Sequence, residues 1–145
     1  MRSLIVLAVA CGVSACAHAP PGGLTPGRLV AGELAQTDEE FSDGSHYRMY
    51  PFQGRAGDTI TARLSSDDFD ANLILTDAHG NRLADDDDGG GACNARLTIT
   101  YTASGTYQLL VNTVEPRATG PFLLTVRLGT AAPPAGLPRC SGESP

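Results

Sequence analysis

Leu97-Thr98-Ile99-Thr100-Tyr101 and Tyr107-Gln108-Leu109-Leu110-Val111, joined through Ala103-Ser104-Gly105, form the stretch that decides the fold. In both runs apolar residues return at every second position, the spacing that gathers them on one face of a β-strand. The short Gly-containing link between them reads as the clearest hairpin in the chain. Working outward, Tyr50 and Phe52 alternate with Pro51 and Gln53, and Ile60, Ala62 and Leu64 alternate with Thr59, Thr61 and Arg63. The turn Ala56-Gly57-Asp58 separates these two runs, which are expected to be neighbours. Leu73 and Leu75 precede turn chemistry at Asp77-Ala78-His79-Gly80-Asn81 and then Arg82-Leu83-Ala84. Phe122, Leu124, Val126 and Leu128 make the last run, introduced by Gly120-Pro121. Pro51 puts its strand at an edge or turns its missing N–H outward. No segment shows a helical period. The expectation is an all-β chain: a single β-sandwich of jelly-roll or Greek-key type with seven or eight antiparallel strands.

Composition sets the scale. A chain of 145 residues with 17 Gly, 10 Pro and no Trp has material for one domain with a modest core. Its ten basic residues are all Arg, and sixteen carboxylates leave a formal charge of −6, or −7 once a leader containing Arg2 is removed. A surface of that sign repels phosphates, which argues against nucleic acid and against an electrostatic dock on anionic headgroups.

The first residues read as an address. Arg2 gives a short positive region, and Leu4 to Ala10 an apolar stretch too short to span a bilayer. Val13-Ser14-Ala15-Cys16 then resembles the bacterial lipobox, whose cysteine is lipidated and begins the mature chain. The competing reading is cleavage after Ala17, because Ala15-Cys16-Ala17 is also an A-x-A pattern. On the lipobox reading, residues 1–15 are a lipoprotein signal peptide. Residues 16–28 are the lipidated Cys16 and a flexible tether rich in Pro and Gly, 29–128 the sandwich, and 129–145 a Pro-rich tail. The lipid is the only expected membrane contact. The destination is the cell envelope, at the outer membrane if the host has two, since Ala17 rather than Asp follows the cysteine.

Cys11 leaves with the leader and Cys16 takes the lipid, so Cys93 and Cys140 are the pair left in an oxidising compartment. A disulfide between them is expected, with two free thiols as the alternative.

Between the strands runs Asp85-Asp86-Asp87-Asp88-Gly89-Gly90-Gly91. Adjacent carboxylates repel, so the run lies in a solvated loop or gathers around a cation. Asp86, Asp87 and Asp88, joined by Asp68 and Asp70 from a second loop, are the candidate ligands for a structural calcium ion. The spacing is not that of an EF-hand: Leu97 stands where, counted from Asp86, the twelfth-position glutamate belongs.

No catalytic motif accompanies the strands: H-E-x-x-H, G-x-S-x-G and G-x-G-x-x-G are all absent. Of the three histidines only His46 borders a strand. A non-enzyme is expected.

The succession Tyr50-Pro51-Phe52, Ala56-Gly57-Asp58, Asp68-Phe69-Asp70 with Leu73 and Leu75, Gly80, Asp86-Asp87-Asp88-Gly89 and Gly105-Thr106-Tyr107 resembles the bacterial pre-peptidase C-terminal domain family over residues 29 to 128. The resemblance implies a β-sandwich usually attached to secreted peptidases as a non-catalytic accessory module, and related collagen-binding modules hold structural calcium. The expected departure from that arrangement is that no peptidase accompanies the domain and a lipid tether stands in its place. Two functions follow as expectations. One is an envelope binding or accessory module for a protein or polysaccharide, or for a secreted hydrolase; the other is a structural lipoprotein that supports a partner without a ligand of its own.

Overall fold

The computed structural model describes residues 23–131. Among them are nine strands and no helix: β1 (Leu29–Leu34), β2 (Glu39–Glu40), β3 (His46–Gly54), β4 (Thr59–Ser65), β5 (Ala71–Asp77), β6 (Arg82–Asp86), β7 (Ala95–Thr100), β8 (Gly105–Thr113) and β9 (Gly120–Leu128). They form two antiparallel sheets, a four-stranded one ordered β1-β9-β4-β7 and a five-stranded one ordered β2-β3-β8-β5-β6. The expected sandwich is present, with more strands than the seven or eight foreseen. The extra elements are edge pieces: β2 is two exposed glutamates, too short and too polar to show a period.

The alternation chooses the buried face of each strand. Ile60, Ala62 and Leu64 of β4 and Phe122, Leu124 and Val126 of β9 point into the interior, against Tyr50, Phe52, Leu73, Leu75, Leu109 and Val111 from the other sheet. Removing this much apolar surface from water is the main stabilising term. Phe122 needs room of its own. Its ring lies over Gly32 on β1, where an added Cβ would stand 2.5 Å from the ring.

Two pairings read from sequence are corrected. The runs flanking Ala103-Ser104-Gly105 do not form a hairpin, because β7 pairs with β4 in one sheet and β8 with β3 and β5 in the other. Nor are β3 and β4 neighbours across Ala56-Gly57-Asp58: β4 lies between β7 and β9. Both links cross from sheet to sheet. Tyr101 shows why, since its N–H bonds the Asp58 carbonyl and its carbonyl receives the Gly57 N–H, which extends the β4–β7 ladder past the strand ends. Its ring then meets that of Tyr107 at 4.5 Å inside the core, directing the chain over to β8.

Other expectations hold. Asp77 closes the β5–β6 turn by accepting the N–H groups of His79 and Asn81. Pro51 lies beyond the reach of β2, which pairs only with His46 and Tyr47, so no ladder partner is denied its missing N–H.

Candidate functional site

The outer face of the five-stranded sheet is built from the positions that alternate with the core. Register aligns Tyr47 with Glu39 on one side and Asn112 on the other, and Asn112 with Asn72, so one row crosses four strands. The next row sets Met49, Leu110, Ile74 and Asp85 side by side, and the third Pro51, Gln108, Thr76 and Arg82. Leu110 and Ile74 are buried, yet they stand apart from the main core. The face thus has an apolar centre between two polar margins.

Hydrogen bonds stiffen the first row. The Asn72 side-chain amide donates to Asn112 Oδ1 at 3.0 Å, and the Asn112 amide donates to the Ser45 hydroxyl and the His46 carbonyl. Tyr47 donates its phenol to the Glu39 carboxylate, which raises its pKa, and burial adds to that rise. Phe41 stacks on the Tyr47 ring with centroids 4.2 Å apart. This half-buried aromatic pair beside a fixed Asn72 amide offers a flat surface and a directional donor, the two features that polymer-binding grooves combine. Alternation sends Tyr50 and Phe52 of β3 to the core. The signal that separates Tyr47 is parity: it stands an odd number of residues from Tyr50, so the two point to opposite faces.

The acidic run begins inside β6, which contains Asp85 and Asp86, and only Asp87 and Asp88 lie in the loop that follows, so the expected loop is corrected for the first two. Asp85 pairs with Arg82 at the surface. Asp86 Oδ2 accepts the Gly89 N–H at 2.8 Å and the Arg96 N–H at 2.7 Å, so one oxygen shapes the loop and caps the edge of β7 in the opposite sheet. Gly89 lets the carboxylate approach, since a Cβ there would meet Asp86 Oδ1 at 2.5 Å. Asp87 and Asp88 are exposed. Asp68 rests against Gly120, and Asp70 leads into β5, whose first N–H, from Ala71, donates to the Cys93 carbonyl. Antiparallel pairing of Leu73 with Asp86 brings the two acidic segments to one end of the sheet. The five carboxylates are not drawn into one ligand set, and among the described residues no group of three or more His, Cys, Asp or Glu stands where it could hold a metal ion.

Cys93 is disulfide-bonded and has a positive φ of 61°. Its expected partner Cys140 and the expected lipidation site Cys16 lie outside the described residues. His46 is buried, its Nδ1 meets no hydrogen-bond partner, and the adjacent Ser45 hydroxyl donates to Asp43. That arrangement lacks the nucleophile-to-imidazole bond of a triad.

The family model of the bacterial pre-peptidase C-terminal domain matches residues 46–113. No curated protein matches the sequence. Among solved structures, the chain is similar to the pre-peptidase C-terminal domain of a collagenase from Bacillus anthracis, with a TM-score of 0.56 and 14% identity over 74% of this chain and 94% of that one. It is also similar to a periplasmic inhibitor of g-type lysozyme from Aeromonas hydrophila, with a TM-score of 0.52 and 16% identity over 70% of this chain and 85% of that one. At these identities the likeness is one of fold.

Proposed function

We propose that this chain is a non-catalytic lipoprotein of the cell envelope whose sandwich is a binding module for an extended polymer, polypeptide or polysaccharide. The match over residues 46–113 to a domain family of accessory modules supports the non-catalytic part. The two fold neighbours are a domain of a collagenase and an inhibitor of a lysozyme, so similar sandwiches serve beside enzymes that act on polymers. The observation that carries the reading is the outer face of the five-stranded sheet, where the Phe41–Tyr47 stack continues into the bonded pair Asn112 and Asn72. An extended ligand lying along this row stacks on the aromatic pair and takes a hydrogen bond from the second N–H of the Asn72 amide, which Asn112 holds in place.

Retention of the full chain on insoluble peptidoglycan and on denatured collagen tests it. Tyr47→Ala is expected to weaken retention on whichever polymer binds by about tenfold, the loss of roughly one aromatic contact. Equal retention of the variant and the parent on both polymers would remove this face from the function.

A further inference from the structure

The four-stranded sheet turns a different chemistry outward. Strands β9, β4 and β7 are contiguous and contain no Asp or Glu, in a chain with sixteen. They do contain Arg127, Arg63 and Arg96, all at positions that alternate with the core residues and therefore face away from it. Register sets Arg63 directly opposite Arg96, while Arg127 is opposite Thr61, one diagonal step from Arg63. Diagonal neighbours stand about 7–8 Å apart, within reach of long side chains, and like charges directly opposite repel.

Two arginines elsewhere are answered by carboxylates, Arg48 by Asp38 and Arg82 by Asp85. Among the described residues these three have no ion pair. Arg96 spends Nε and Nη2 on the Ala131 carbonyl. The Nε and Nη2 of Arg63 are sealed from solvent and meet no acceptor among the described residues. That edge of a guanidinium is the one that grips a carboxylate or phosphate through two parallel hydrogen bonds, and leaving charged donors unanswered is costly. Arg63 as a residue is only half-buried, and Arg127 beside it is exposed, so an anion reaches the cluster from that side and meets the sealed edge once the Arg63 side chain turns outward.

We propose that the outer face of the four-stranded sheet holds an oxyanion site, in which Arg63 and Arg127 bind a single carboxylate or phosphate group while Arg96 adds its charge from the far side. Burial and the two neighbouring guanidiniums push the Arg63 pKa down, and an anion between them offsets the repulsion. The net charge of −6 restricts the ligand to a small one, because a polyanion meets repulsion from the rest of the surface.

The test follows the arginine Nε–Hε signals of the labelled full chain by NMR, titrated with sodium phosphate and with sodium acetate against sodium chloride at constant ionic strength. Saturable movement of the Arg63 signal with either oxyanion and not with chloride is expected, and the tighter probe identifies the preferred group. Arg127→Gln, at an exposed position, is expected to weaken that binding about tenfold without altering the dispersion of the backbone spectrum. An Arg63 signal that responds no more to either oxyanion than to chloride, or an affinity unchanged by Arg127→Gln, overturns the proposal. The site lies on the opposite sheet from Tyr47, so its failure leaves the polymer-binding reading untouched.

Discussion

Asp86 shows what one side chain within a run of like residues does. Its Oδ2 holds the loop and the edge of β7 together, a use that needs two backbone N–H donors and no cation. Asp86→Ala is expected to cost about 1–3 kcal/mol in a urea melt, the penalty for two donors left unanswered. The pair Asp87→Asn with Asp88→Asn should stay within about 0.5 kcal/mol, since both positions are exposed. Gly89→Ala should be damaging alone and milder in the Asp86→Ala background, because the clash is with that carboxylate. Calcium and chelator are expected to give the same midpoint. A rise with calcium that Asp87→Asn with Asp88→Asn abolishes would instead make the loop an ion site. Charge repulsion made the loop legible for Asp87 and Asp88 but not the strand positions of Asp85 and Asp86, which pair with Ile74 and Leu73. Which aspartate acts was not legible either, because the Arg96 N–H comes from another sheet.

At the scale of the element, alternation names the buried side of a strand but not its partner. Both sheets bury the same kinds of residue, so Leu97, Ile99 and Tyr101 and Tyr107, Leu109 and Val111 fit a hairpin and a crossing equally well. The Tyr101–Tyr107 contact, formed inside the core, decides between them. Where a turn is fixed by its own side chains the sequence is a better guide, as in the β5–β6 hairpin. There Asp77 takes hydrogen bonds from the Asn81 side chain, the Asn81 N–H and the His79 N–H, and these hold its pKa below the ordinary carboxylate value. A depressed folded pKa contributes stability that is fully present above the unfolded pKa, about 3.9, and is lost as pH falls through the folded one. Amide exchange at His79 and Asn81 should therefore quicken in acid below that range, and Asp77→Asn should flatten the dependence. Exchange independent of pH after correction for intrinsic rates would count against the cap.

At the scale of the molecule, the lipid and the bridge expected at the two ends of the chain can be read in its mass. The mature protein isolated from membranes is expected to have a mass that includes acyl groups on Cys16 and, without reduction, a deficit of two hydrogens for a Cys93–Cys140 bridge. A bridge closing so long a loop contributes about 4 kcal/mol in the chain-entropy model. A mass without acyl groups returns the leader to ordinary secretion. A free Cys140 gives Cys93 another partner.

The order of the sheets has a further result, in time rather than space. Only the β2–β3 and β5–β6 links stay within one sheet, and β1 finds its place only beside β9, the last strand to be made. Leu34 at the end of β1 is fully buried and pairs with Gly120 at the start of β9. With most contacts this distant along the chain, closing the core is slow and cannot begin at the first strands synthesised. The sandwich is a fold that waits: until β9 has emerged, β1 has no partner, and the chain remains open to transport machinery, chaperones and proteases alike.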